Sequence, residues 1–125
     1  MEKIILAEPA VGIDIGSTTA KLVIIKNGDI VYRRYERHFS QVRQKTLELL
    51  RDAADFLKGE SFSAAISGSA GLGLARVADI PFVQEVFATS ETVRKLAPDT
   101  SSVIELGGED AKVIFFAGGT DERMN

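Results

Sequence analysis

The chain has 125 residues, 45% of them hydrophobic and 26% charged, with a formal net charge of −3 and a pI near 5.2, the profile of about one ordinary globular domain. Acidic and basic residues are interleaved, so no basic face is offered to nucleic acid or to an anionic membrane, and neither is expected as a partner. Cysteine is absent and His38 is the single histidine, which excludes a disulfide, a thiolate nucleophile, a cysteine-held zinc or iron–sulfur centre and a multi-histidine metal site within these residues.

The N-terminal apolar run is broken by Glu8 and Pro9 and is too short for a signal peptide or a membrane span, so a cytoplasmic protein is expected. Residues 11–15 read as a buried strand that enters a tight turn at Gly16-Ser17-Thr18. Residues 19–26, dominated by Leu22, Val23, Ile24 and Ile25, form a second strand. Asn27-Gly28 is a strong hairpin signal. Beyond it Ile30, Tyr32, Arg34 and Glu36 alternate with Val31, Arg33 and Tyr35, giving a third strand with a solvated end at Arg37-His38. These three strands make an antiparallel meander.

From Ser40 the period changes. Val42, Thr46, Leu49, Leu50, Ala53, Ala54 and Leu57 recur at helical spacing, with Ser40 as the expected N-cap and Lys58-Gly59 as a basic last turn and stop. A short strand over 62–67 runs into the glycine-rich loop 68–73. A short helix at 74–78, an extended piece at 81–83 and a helix at 84–97 follow. Pro98 and the small polar residues after it mark a candidate lobe boundary, giving a first lobe at 1–98 and the first hairpin of a second lobe at 99–125. In that hairpin, strands over 103–106 and 111–116 flank Gly107-Gly108-Glu109-Asp110, Phe115-Phe116 are expected in the core, and Gly118-Gly119 precede a polar end. A meander followed by crossover helices predicts an α/β fold with a mixed, ribonuclease-H-like sheet, not the strict alternation of a dinucleotide-binding fold.

Two segments share one design. In the first, Asp14 precedes the Gly16-Ser17-Thr18-Thr19 turn and Lys21 follows it. Glycine allows close backbone approach, the hydroxyls and amides suit phosphate oxygens, the carboxylate can hold hydrated magnesium, and the lysine offers a point charge. In the second, Glu105 precedes Gly107-Gly108-Glu109-Asp110 and Lys112 follows. Each alone also reads as an ordinary hairpin, the first with Asp14 capping its own turn and the second with a solvated acidic tip. Two of them, one on each side of a candidate boundary, point to a grip on polyphosphate. The third glycine-rich segment, Gly68 to Gly73, stands between strand and helix where such a loop can bind phosphate, but it lacks the lysine and hydroxyl of a Walker loop and reads rather as a tight turn with close packing.

The run 12–21 resembles the phosphate-1 motif, and 104–112 the phosphate-2 motif, of the acetate-kinase, sugar-kinase, heat-shock and actin superfamily. With Gly68-Ser-Ala-Gly-Leu-Gly-Leu-Ala75 and Ile80-Pro-Phe-Val-Gln-Glu-Val86, the chain from Val11 to Asn125 is similar to the CoA-substrate-specific enzyme activases, the activators of 2-hydroxyacyl-CoA dehydratases and benzoyl-CoA reductases. The resemblance implies an actin-like ATPase lobe, here incomplete, in a homodimeric protein that uses ATP and Mg2+ to pass an electron to a CoA-ester dehydratase or reductase. It implies phosphate and magnesium contacts for Asp14, Gly16, Ser17, Thr18, Thr19 and Lys21, and phosphate cover by Gly107 and Gly108. Asp14, Glu109 and Asp110 take the catalytic roles, with Asp14 and Asp110 reaching the metal through water. A shared 4Fe-4S cluster is implied only for a longer parent protein. This chain departs from the smaller activators in having Glu105 and Glu109 where they carry Asp and Gln, a feature shared with larger multi-repeat members. Alternatives are a sugar-type small-molecule kinase of the same superfamily and a non-catalytic nucleotide-sensing repeat. With half of the cleft missing, these residues alone are expected to bind ATP weakly or not at all, and to self-associate.

Overall fold

The computed structural model describes residues 7–107, 111–117 and 120–124. Gly108, Glu109, Asp110, Gly118, Gly119 and the apolar run before residue 7 lie outside the described residues. Backbone proximity divides the chain into two units, Met1–Phe82 and Val83–Asn125.

The first unit carries β1 (Ala10–Ile15), β2 (Thr19–Lys26), β3 (Asp29–Arg37), α1 (Val42–Ala53), β4 (Ser63–Ser67) and α2 (Leu72–Ala78). The sheet order is β3-β2-β1-β4. The first three strands pair antiparallel and β4 joins β1 in parallel. This is the mixed, ribonuclease-H-like sheet that the strand and helix pattern predicts. At the first hairpin Asn27 and Gly28 take φ values of 53° and 81°, the left-handed pair that a primed two-residue turn demands and that asparagine and glycine reach most easily.

Strand alternation then decides what faces the core. Val11, Ile13 and Ile15 of β1 lie opposite Ile24, Leu22 and Ala20 of β2, and all six are buried. Leu49 and Ala53 of α1, Leu57, Ile66 of β4 and Ala75 of α2 complete the cluster. A fully buried aliphatic side chain contributes about 1.5–3 kcal/mol, so this face holds the unit together. By the same parity Asp14 and Lys21, also partners in the register, stand on the opposite face.

The start of α1 differs from expectation. Ser40 is not its N-cap: the helix begins at Val42 after Gln41, without a side-chain cap. Phe39 and Ser40 have φ values of 50° and 63°, in a turn closed by the Gln41 N–H on the His38 carbonyl at 2.8 Å. Ser40 is held left-handed in that turn, and an N-cap requires an extended backbone.

Lys45 ties α1 to β3, with Nζ donating to Glu48 Oε2 at 2.9 Å and to Glu36 Oε1 at 3.1 Å. These bonds, the one to Glu48 foremost, raise its pKa above the ordinary 10.5. Because the folded value is the higher one, the stabilisation is fully present below pH 10.5 and is lost as pH rises through the folded value. Melting curves at increasing alkalinity should show this loss in the wild type and a smaller one in Lys45→Met.

The second unit carries α3 (Glu85–Leu96), β5 (Ser102–Leu106), β6 (Ala111–Ala117) and β7 (Thr120–Met124), the strands forming an antiparallel sheet in that order. The Gln84 side chain caps α3, accepting from the Phe87 N–H at 3.3 Å. Pro98 lies within this unit, just after α3. On the sheet, Glu105, Lys112 and the fully buried Ile114 share one face. Ile104, Leu106 and Phe115 share the other, where Ile104 is 68% and Leu106 79% exposed. Phe115 is therefore not core. Adjacent strand residues point to opposite faces, and only Phe116 is partly covered, with the Arg94 guanidinium 5.9 Å from its ring centre.

Candidate functional site

The first hairpin ends in an open ion pair. Lys21 Nζ lies 3.3 Å from Asp14 Oδ2, with the lysine side chain 30% and the aspartate 47% exposed. The ammonium also stands 5.3 Å from the centre of the Tyr35 ring. An exposed pair of this kind is worth about 0.5 kcal/mol, so little free energy opposes exchange of either partner for a ligand charge.

Gly16 has a different role from the one its turn position implies. Its φ is not left-handed, and a Cβ there would meet nothing closer than 3.7 Å, the distance to both Lys21 Nζ and the Thr19 carbonyl. The side chain that glycine omits would stand directly before the ammonium. The absent side chain leaves the ammonium uncovered on that side.

The turn itself is held from behind. Gly16 N–H donates to the Thr19 carbonyl at 2.8 Å, and His38 N–H donates to the Thr18 carbonyl at 3.0 Å. The His38 ring, only 4% exposed, adds a bond between Nε2 and the Gly16 carbonyl at 2.8 Å. Nδ1 accepts from the Ser40 N–H at 3.0 Å, so Nε2 carries the proton and is the donor to Gly16. The sequence assigns His38 to a solvated strand end, and that reading fails for it. Arg33, Arg34 and Arg37 are exposed as expected, whereas His38 turns inward where β3 leaves the sheet. A lone histidine at the end of a strand, ahead of a left-handed Phe-Ser step, gives little hint of this from sequence.

The glycine-rich loop after β4 is a close-packed turn, as its composition predicts, and it packs against the same hairpin. β4 runs parallel to β1 with Ser67 opposite Asp14. Gly68 has φ 99°, and a Cβ there would overlap the Ile15 carbonyl oxygen and lie 2.5 Å from Asp14 Oδ1. The Ala70 N–H donates to the Ile15 carbonyl at 3.0 Å. At Gly71 an added Cβ would come 2.5 Å from the Ser67 carbonyl. The carboxylate of Asp14 is thus seated against backbone from a strand some fifty residues further along the chain.

In the second unit Glu105 and Lys112 are register partners, as Asp14 and Lys21 are in the first. Here the pair is sequestered. Lys112 Nζ lies 3.5 Å from Glu85 Oε2 and 3.8 Å from Glu105 Oε1, and Thr89 Oγ1 donates to Glu105 Oε2 at 3.0 Å. Gly107 follows β5 and is exposed. Gly108, Glu109 and Asp110 are outside the described residues; within the first unit the structure brings together Asp14, Gly16, Ser17, Thr18, Thr19 and Lys21 of the predicted set. Among the described residues no three His, Asp or Glu side chains gather as a metal cage.

No protein-family model matches the chain, and no curated protein matches it either. Solved structures do. The activator of the 2-hydroxyisocaproyl-CoA dehydratase from Clostridium difficile, with bound ADPNP, superposes with a TM-score of 0.73 at 26% identity over 93% of this chain and 45% of that one. Component A of the (R)-2-hydroxyglutaryl-CoA dehydratase of Acidaminococcus fermentans gives a TM-score of 0.68 at 26% identity over 89% of this chain and 44% of that one. A Ppx/GppA family protein of Aquifex aeolicus, at 18% identity and a TM-score of 0.58, covers 92% of this chain and 49% of its own, a likeness of fold alone. The chain therefore spans about half the length of the structures it matches. Among the described residues no helix is long and apolar enough to cross a membrane.

Proposed function

We propose, from the actin-like ATPase fold that this chain has, that it is the N-terminal part of a nucleotide-hydrolysing activator of a CoA-ester dehydratase or reductase. One observation carries the reading: the open Asp14–Lys21 pair beside the space that Gly16 keeps clear, in a chain that shares its fold with an ADPNP-bound dehydratase activator. Lys21 would meet a phosphate oxygen as a point charge. Ser17, Thr18 and Thr19 would offer amides and hydroxyls to neighbouring oxygens. Asp14 would hold Mg2+ through water, the remaining positions on the ion filled by phosphate and solvent, since a magnesium ion bound with nucleotide keeps few protein ligands. Bound Mg2+ would neutralise phosphate charge.

The same motif reading extends to Gly107, Gly108, Glu109 and Asp110 as phosphate and metal-water contacts, with Pro98 as the lobe boundary. A dehydratase or reductase component would be the partner. Self-association into a homodimer is supported by the exposed Ile104 and Leu106, and a cytoplasmic setting suits an ATP-dependent activator. A 4Fe-4S cluster needs thiolate ligands and these residues contain no cysteine, so no residue here is assigned to one.

The test is a titration of the 15N-labelled chain with Mg-ADPNP. Amide shifts at residues 14–21 and at the second motif, 107–110, with weak, millimolar-range affinity, are expected. A spectrum unchanged at saturating millimolar nucleotide would remove the reading.

A further inference from the structure

We infer that His38 is a positioning residue that keeps the Gly16–Thr19 turn open for phosphate, an inference that rests on the reading above. A two-residue hairpin normally closes with the fourth residue's N–H on the first residue's carbonyl. Here Gly16 N–H reaches the Thr19 carbonyl, but the reciprocal bond from Thr19 N–H to the Gly16 carbonyl is not made. That carbonyl accepts from His38 Nε2 at 2.8 Å instead. The histidine has taken over the acceptor that would otherwise close the turn.

Peptide geometry carries the consequence to the ligand side. In a trans peptide the N–H points opposite to the C=O. The Gly16 carbonyl is drawn to the His38 ring and the Thr18 carbonyl to the His38 N–H. The N–H groups that share those peptide planes belong to Ser17 and Thr19, and both are therefore directed away from His38. Backbone N–H groups left without a protein acceptor and turned away from the core are donors an anion can use. A buried imidazole suits this task because its two nitrogens are separately committed: Nδ1 is fixed as an acceptor by the Ser40 N–H at 3.0 Å, which leaves Nε2–H to donate. The ring touches no ligand in this arrangement. It sets the orientation of groups that do.

The experiment compares wild type with His38→Ala, His38→Gln and His38→Asn. Glutamine can place an N–H near the position of Nε2 and keep the Gly16 bond. Asparagine can accept from Ser40 but is too short to reach Gly16. Expected are a neutral imidazole protonated at Nε2 by 15N correlation in the free protein, and Mg-ADPNP-induced shifts at the Ser17 and Thr19 amides. Affinity should fall about tenfold in His38→Ala and His38→Asn, the scale of one hydrogen bond, with His38→Gln within about threefold of wild type. If His38→Ala fails to fold, the Gln and Asn variants decide. Equal affinity in Asn and wild type, or an imidazole protonated at Nδ1, overturns this inference and leaves the nucleotide reading standing. No response in wild type overturns the nucleotide reading itself and is seen before any variant is made.

Discussion

Gly68→Ala is expected to be the most damaging small substitution in the first unit, costing at least about 3 kcal/mol. Two independent penalties coincide. The backbone φ of 99° lies where an L side chain is strained, and the new methyl would overlap the Ile15 carbonyl oxygen and press on Asp14 Oδ1. The nearest neighbour is not a flexible side-chain tip but main chain of Ile15 within β1, which cannot swing aside as the Asp14 carboxylate can. Relief requires β4 to move away from β1, which would expose Ile66 and Ile15, both buried. The matched control is Gly73→Ala. That glycine lies in α2 with nothing within 4 Å of an added Cβ, so the change should leave stability unaltered or raise it by up to about 1 kcal/mol. Urea midpoints of the two variants make the comparison, and a Gly68→Ala midpoint equal to wild type would show that the loop is not seated on Asp14.

Asp14→Asn should abolish the magnesium dependence of nucleotide binding while leaving the fold intact. The substitution preserves shape, and the pair it breaks is half exposed and worth about 0.5 kcal/mol, so melting should be close to wild type. What is lost is the charge that would hold a hydrated cation. Wild type should bind ADPNP more tightly with Mg2+ than with excess chelator, and the variant should bind equally in both. Where ATP turnover can be measured, a drop of about 100-fold, or about 2.7 kcal/mol of barrier, is expected. Calorimetry in paired magnesium and chelator buffers supplies the check, and a variant that keeps the wild-type magnesium increment would move the metal away from Asp14.

The first hairpin was readable because its signals are local. Asn27-Gly28 dictates its own turn, the alternation of 11–25 dictates which side chains are buried, and Lys21 lies seven positions after Asp14 just as Lys112 does after Glu105. That spacing becomes a cross-strand pair in both hairpins. What local reading could not supply depends on distant partners. Gly68 looks like a generic loop glycine until parallel pairing of β4 with β1 brings it to Asp14. His38 looks solvated until the chain turns at Phe39 and brings the ring under Gly16. The two carboxylate–lysine pairs look alike in sequence, yet α3 covers the second through Glu85 and Thr89 and leaves Lys112 7% exposed at its side chain, whereas Lys21 stays open. The mistaken N-cap at Ser40 has the same origin, since its backbone is set by the His38 ring.

The seat of Gly68 on β1 also constrains how this half of the molecule can respond to chemistry. With Ala70 bonded to the Ile15 carbonyl and Gly68 lodged against the Asp14 carboxylate, the tips of two parallel strands are fastened beside the proposed phosphate site. Sliding one strand past the other would have to break that bond and that contact. If the proposed nucleotide turnover moves this unit, the two tips would travel as one piece and the bending would fall elsewhere.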